Sequence, residues 1–190
     1  IEYAYRHQMN LIPINFGMAN ASMQRNHGAS ESIGNTLVFI DADIVMKNRK
    51  ILGMIAEKSK QHPIIATCVK VNPEERRFID SIVSHFLNGI MMILNTLGYP
   101  NGRGAVIAIR KDVFESVGGF DEKLCVAEDV DLFRRTKRFG TTGIISNVVY
   151  ESSRRYRKTG YIKVFYHWII NGRAHMVFRK NTLTCYEEIR

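Results

Sequence analysis

Acidic residues are missing from one long stretch of this 190-residue chain. Between Ser152 and Tyr186 there is no Asp or Glu, while Arg154, Arg155, Arg157, Lys158, Lys163, Arg173, Arg179 and Lys180 all fall there. Those cations carry nearly all of the formal net charge of +9, so the remainder of the chain is close to neutral. A basic surface confined to one region points to a polyanion, an anionic membrane or phosphate groups. Cysteine is scarce. Cys68, Cys125 and Cys185 are far apart and odd in number. That excludes a disulfide framework or a zinc site, which need tighter, paired spacing, and fits reduced thiols in a cytosolic protein. The histidines (His7, His27, His62, His85, His167 and His175) form no ligand-like cluster, and none is assigned to metal. No basic, apolar and small-residue leader opens the chain, and Ile1 rather than Met stands first, as expected of a trimmed or truncated start. There is no internal repeat and no low-complexity segment. The most apolar run, Ser81–Leu97, contains His85, Asn88 and Asn95 and is shorter than the roughly 20 residues of a membrane span. It reads as a buried or interfacial helix.

What is present is a chain of ordinary globular make-up, with 45% hydrophobic and 24% charged residues, long enough for one domain with a sizeable core. Strand and helix patterns alternate. Strands are expected over Leu11–Asn15, Thr36–Asp41, Ile64–Val71, Ala105–Arg110 and Gly143–Tyr150. Helices are expected over Ala19–Ser32, from an Asn48 cap to about Gln61 with Ile51, Leu52 and Ile55 inward, and from Pro73-Glu74 to about Leu97. A short helix ends at Gly118-Gly119, another covers Ala127–Phe139 with Leu132 and Phe133 inward, and an amphipathic one covers roughly Thr159–Arg179. Such alternation implies an α/β fold with a mainly parallel sheet between helices. Ligands then bind at the carboxyl ends of the strands.

Two acidic constellations lie where that rule directs attention. Asp41-Ala42-Asp43 follows the apolar run TLVFI, so both acids can turn to one point as the chain leaves the sheet. Carboxylate and diphosphate oxygens together suit Mg²⁺ or Mn²⁺, which would act as Lewis acid and template. A solvated loop or a helix cap would show the same triplet. Glu128-Asp129-Val130-Asp131 opens a helix, whose dipole favours ionised acids there whether or not they do chemistry. Facing a cleft, such a carboxylate can act as a general base. Gly102-Arg103-Gly104 precedes a strand. Its glycines permit close backbone approach to a ligand, and Arg103 can meet a phosphate.

In order and spacing, these motifs resemble glycosyltransferase family 2. Gly17–Gly28 (GMANASMQRNHG) is similar to the family's glycine, small residues and Arg-Asn-x-Gly. Phe39–Asp43 (FIDAD) is similar to its metal-binding strand. Gly102–Phe120 with Asp121 is similar to its acceptor side, Glu128-Asp129 to its Glu-Asp pair, and Arg154-Arg155-Tyr156 stands where some members carry an Arg-aromatic pair. The likeness covers roughly residues 10–157. It implies a GT-A fold, a nucleotide-diphosphate sugar donor, Mn²⁺ or Mg²⁺, and inversion at the anomeric carbon. Carried over by position, Asp41 and Asp43 hold the metal and diphosphate, with Asp43 the more direct ligand, and Asp129 is the catalytic base. Arg25, Asn26, Asp41, Arg103, Glu128, Arg154 and Arg155 lie around the donor.

Two departures shape the expectation. The family's opening strand is absent, so the nucleotide is unreadable. The Gln-x-x-Arg-Trp motif of processive members is replaced by Ser152-Ser153-Arg154-Arg155-Tyr156, which favours transfer of one sugar. The domain division expected is a glycosyltransferase core over 1–151 and a basic amphipathic extension over 152–190. In the extension Tyr161, Ile162, Phe165, Trp168 and Ile169 recur at helical spacing among cations. That pattern fits a helix on an anionic membrane, and equally one packed on the domain. The expected partners are a sugar nucleotide, a carbohydrate or polyprenyl-lipid acceptor, and the inner face of the cell membrane from a cytoplasmic side. Nucleic acid is not expected, because the acidic clusters repel phosphate. A nucleotidyltransferase on a related sheet, or a non-catalytic basic module binding membrane or polyanion, stands as the alternative.

Overall fold

The computed structural model describes residues 20–72, 74–124, 127–164 and 166. The strand expected over Leu11–Asn15 and the stretch from Trp168 onward lie outside them. Helix α1 (Ala21–Glu31) starts where Asn20 accepts the Met23 N–H at 3.0 Å, which satisfies one orphan donor of the first turn. Strands β1 (Thr36–Ile40) and β2 (Ile44–Val45) follow, separated by the Asp41–Asp43 turn. Then come α2 (Ile51–Lys58), β3 (Ile64–Val71), α3 (Phe78–Thr96), β4 (Val106–Arg110) and α4 (Lys111–Ser116). Helix α5 (Glu128–Thr136) continues into a 3₁₀ turn, and β5 (Thr142–Glu151) and α6 (Arg154–Thr159) close the described chain.

The sheet runs β1-β4-β3-β5-β2. It is mixed, not mainly parallel as alternation implied. Among the described strands only β3 and β5 pair in parallel, while β4 lies antiparallel between β1 and β3, and β2 antiparallel beside β5. After α3 the chain comes back to the carboxyl end of β3, where Arg103 donates to the Val69 carbonyl at 3.1 Å, and β4 therefore starts from that edge. Because β1, β3 and β5 still share one direction, their carboxyl ends share one edge of the sheet, where a ligand is expected.

Period-two alternation sends side chains to a core on each face. Leu37, Ile64, Ala66, Ile107, Ile109, Phe114, Phe120, Leu132 and Phe133 fill one; Ile51, Ile55, Ile65, Val69, Val106, Ala108, Ile145 and Val149 fill the other. Strand β3 is buried along almost its whole length, which explains its unbroken apolar run. Strand β1 reads the same way but is an edge among the described strands. Only Leu37 is fully buried in it, and Ile40 is exposed.

Other boundaries move for local reasons. Asn48 accepts the Lys50 N–H at 2.9 Å in a turn, so α2 begins only at Ile51, and Leu52, expected inward, is exposed. Helix α3 begins at Phe78, not at residue 74, where Asp80 accepts the Arg77 N–H at 2.6 Å and satisfies a donor at the helix start. Gly160, at φ 80°, separates α6 from the helical residues 161–164, so the described tail is not one continuous helix. That part of the expected extension packs on the core. Tyr156 and Val164 are buried against Val71, Tyr161 stacks on Tyr156 at 4.8 Å, and Glu75 accepts the Ser153 N–H at 2.8 Å.

Candidate active site

The two acidic constellations meet through one arginine. Asp41 leaves β1 while its N–H still donates to the Ala105 carbonyl at 3.0 Å, so it stays fixed to the chain entering β4. Arg25 reaches across from α1. It donates to Asp41 at 2.6 Å and to Glu128, in the first turn of α5, at 2.8 Å. Its guanidinium carbon stands 5.2 Å from the Phe120 ring centre, a cation–π contact. Phe120 is itself locked by edge contacts with Phe39 and Phe114 at 5.1 and 5.7 Å. The arginine side chain is only 15% exposed, so removing it would leave two carboxylates facing each other without a cation.

Asp129 follows Glu128 and is half-buried. One of its oxygens accepts the Val130 N–H at 2.8 Å. The other stands over Gly104, where an added Cβ would come within 2.7 Å of it. A Cβ on Gly102 would come within 2.2 Å of the Phe133 ring and 2.8 Å of Ala66. The glycines flanking Arg103 thus admit the chain's own α5, Phe133 at one and Asp129 at the other, where the sequence pointed to a ligand. Desolvation first, then repulsion from Glu128, push the Asp129 carboxyl up to about 7 against the Val130 N–H and Arg25. Desolvation also raises Asp41, with Asp43 and Glu128 adding to it and Arg25 opposing. Asp41, Glu128 and Asp129 therefore lie along one edge with Arg25 between the first two, and Asp43 follows Asp41 in the turn. Just before Glu128, Ala127 takes φ 63°, a left-handed conformation costing a non-glycine residue about 1–3 kcal/mol and typical of functional sites.

Of the remaining candidates, Asn26 and Arg103 are engaged with other parts of the chain. Asn26 was expected near the donor. Its amide instead clamps the turn before α5, donating to the Phe120 carbonyl and to Glu122, both at 2.9 Å, and accepting the Phe120 N–H at 2.8 Å. The close pass of Gly119, at φ 70°, beside the Asn26 oxygen makes that clamp possible. Arg103 was expected to meet a phosphate. It is taken up by Glu151 at 2.5 Å, the Tyr156 hydroxyl at 3.1 Å and Val69, and so ties β3, β5 and α6 together. Asp131 is buried against Arg134 and Arg135 at 2.9 and 2.5 Å and serves α5 itself. Arg154 is exposed at the start of α6, and Arg155 is in the same helix. Sequence reasoning missed Gly104 and Phe120 as supports of Asp129 and Arg25. The Gly-Gly-Phe-Asp turn and the Gly-x-Gly before β4 carried that signal.

The Asp41–Asp43 turn fits a hard divalent cation by its donor set. Among the described residues no three His, Cys, Asp or Glu converge. A cation that keeps waters and takes phosphate oxygens needs only one or two carboxylates. Asp41 shares an oxygen with Arg25, whereas Asp43 makes no hydrogen bond or ion pair among the described residues, so Asp43 has the freer oxygens.

A mixed sheet between helices, with acids at the shared carboxyl edge of β1 and the start of α5, is a glycosyltransferase-type fold. The family model described as glycosyltransferase like family 2 matches residues 4–154, and the chain belongs to that family. The mannosyltransferase PcManGT from Pyrobaculum calidifontis, solved in complex with GDP-Man and Mn²⁺, superposes with a TM-score of 0.61 at 17% identity. The match covers 90% of this chain and 50% of that one, so this chain spans about half the neighbour's length. No curated protein matches the chain significantly.

Proposed function

We propose that the chain moves one sugar from a nucleotide-diphosphate sugar to an acceptor hydroxyl or lipid phosphate, with inversion and with Mn²⁺ or Mg²⁺. The observation that carries this reading is the Arg25 bridge, which brings the turn after β1 and the first turn of α5 to one edge. The neighbour's GDP-Man and Mn²⁺ complex supports a sugar nucleotide and a divalent cation here.

In this reading Asp129 accepts the acceptor's proton while the acceptor oxygen bonds to the anomeric carbon. The bond from that carbon to the diphosphate breaks, and the diphosphate leaves with the electron pair. A carboxyl pushed up to about 7 is well matched to a base working near neutrality. The Val130 N–H holds one of its oxygens, and Gly104 leaves the room in which the other stands. Arg25 keeps Asp41 and Glu128 in place and offsets part of their charge. A cation held by Asp43 with Asp41 would supply Lewis acidity toward the departing diphosphate. The missing Gln-x-x-Arg-Trp favours single transfer over polymerisation. The acceptor is a carbohydrate or a polyprenyl lipid, and the setting is cytoplasmic, on the inner face of the membrane.

A panel of nucleotide sugars scored calorimetrically with and without Mn²⁺ tests the donor and the cation together. Mn²⁺-dependent binding by the unaltered chain that is lost in Asp43→Ala is expected. Equal donor affinity in both chains removes the role given to Asp43.

A further inference from the structure

Helix α3 is built inside out. The stripe it turns to the domain is polar. Asp80, Ser84 and Asn88 are buried there, joined by Met91. These residues dock by hydrogen bonds. Asp80 takes the Tyr161 hydroxyl, Asn88 pairs with both the N–H and the carbonyl of Val69 at 3.1 and 2.8 Å, and Asn95 donates to the Asn101 carbonyl at 2.7 Å. The stripe it turns outward is Phe78, Ile82, Phe86, Ile90, Ile93 and Leu97, all exposed, with Phe78 at 84%. In a helix of a water-soluble domain those faces are reversed. A contiguous outward apolar stripe of this kind marks a surface that meets an apolar medium.

The chemistry around the stripe selects the medium. Arg76 and Arg77 precede α3 and are exposed, as are Lys158 and Lys163 on the segments that pack against its start. Of the three acids in residues 72–83 and 152–166, Asp80 is buried, Glu75 is bonded to Ser152 and Ser153, and Glu74 faces Lys47 at 3.9 Å. Ile162 and Tyr166 are also exposed, on the segment that the Tyr161 hydroxyl bonds to this end. At the far end Tyr99 is exposed with the Lys137 ammonium 5.4 Å from its ring centre. Apolar residues between cations and amphipathic aromatics match the boundary of an anionic bilayer. By length and composition α3 could cross a membrane. Its polar stripe is bonded to β3 and the tail, however, and crossing would strand those groups in hydrocarbon.

We propose that the outward face of α3, with the cations at its start, is a docking surface on which the protein lies against an anionic membrane without spanning it. The proposal deepens the membrane setting put forward above, which rested on the basic tail, and does not depend on the transfer reaction.

The test is flotation of the full chain with vesicles of phosphatidylglycerol and phosphatidylcholine, and with phosphatidylcholine alone. Binding to the anionic vesicles is expected. Phe86→Glu with Ile93→Glu should weaken it at least about tenfold, since both side chains lose their burial in the interface. Lys163→Gln should weaken it about fivefold. Melting temperatures should not change, because the altered side chains are exposed. Full binding by the Phe86/Ile93 variant, with loss on neutralising Arg173, Arg179 and Lys180, overturns the α3 surface and leaves the tail reading standing. No binding by the unaltered chain overturns both. A dimer in light scattering that the same variant splits, with no vesicle binding, shows that a second copy covers the face. A fall in melting temperature, again without vesicle binding, shows that another part of this chain covers it.

Discussion

Adding one methyl group at Gly104 separates a positioned base from a merely tolerated acid. The new Cβ would stand 2.7 Å from the free oxygen of Asp129, 3.3 Å from its carboxyl carbon and 3.5 Å from its Cβ. Ordinary contact begins near 3.4 Å, so the carboxylate must retreat by about 0.7 Å or rotate away from the Val130 N–H. Rotation off a staggered well costs only about 0.5–1.5 kcal/mol, and Ala in place of Gly recovers about 0.4–1 kcal/mol by restricting the unfolded chain. Gly104 has no positive φ to oppose the change. Gly104→Ala should therefore leave urea stability within about 1 kcal/mol of the unaltered chain. Turnover should fall about 100-fold, the scale expected when a catalytic group moves by about 1 Å. Gly102→Ala is the control. There the methyl meets the Phe133 ring at 2.2 Å inside the core, so stability should drop by about 1–3 kcal/mol or more. A stable Gly104→Ala chain with unchanged turnover refutes the claim that this oxygen of Asp129 does the chemistry.

Asp129→Asn should cost about 10²–10⁴-fold in turnover with donor binding kept, as judged by single-turnover assays beside calorimetry. The folded state holds the Asp129 proton more tightly than the unfolded chain, with a value near 7 against an ordinary 3.8. Stability from this group is thus complete below about pH 4 and is lost as pH rises through 7. The Asn variant should match the unaltered chain in urea at pH 4 and exceed it at pH 8 by about 2–4 kcal/mol, and equal stability at both would refute the burial argument. In the unaltered enzyme kcat/KM should rise with pH through about 7, and a flat profile would remove Asp129 as the base. Asn26→Ala should cost about 1–3 kcal/mol in urea by orphaning the Phe120 N–H and carbonyl, whereas unchanged stability with lost donor affinity would return Asn26 to the nucleotide.

Much of the architecture was legible because the apolar periods were clear. The runs ending at Ile40, Val71 and Arg110 are strands within a residue of their expected bounds, and Leu132 and Phe133 are fully buried as read. The strand directions were not legible. Alternating elements cannot show that the chain after α3 returns to the edge it left, which reverses β4. Nor could an apolar run such as TLVFI distinguish a central strand from the edge position β1 occupies among the described strands. In α3 the periodicity was present but its sense was hidden. The run reads as buried or interfacial, and which face turns inward shows only once Asn88 is seen to hold Val69.

At the candidate site, the acids could be named from the sequence and the residues packed around them could not, for a physical reason. A carboxylate can be found from its type and its place after a strand or at a helix start. What raises its affinity for a proton is the packing of residues far away in sequence. Asn26 holds the turn that carries Phe120, Phe120 backs Arg25, and Arg25 ties Asp41 to Glu128 beside Asp129. Gly104 leaves the space in which the last carboxylate stands. Each of these residues lies in a motif that the sequence assigned to ligand contact. Their side chains are spent on fixing the acids, so the motif's spacing encodes the rigidity of the site as much as its chemistry. Half-buried and with one oxygen held by the Val130 N–H, Asp129 would meet a reacting hydroxyl with little ordering left to do, which is the condition under which the proposed base would be efficient.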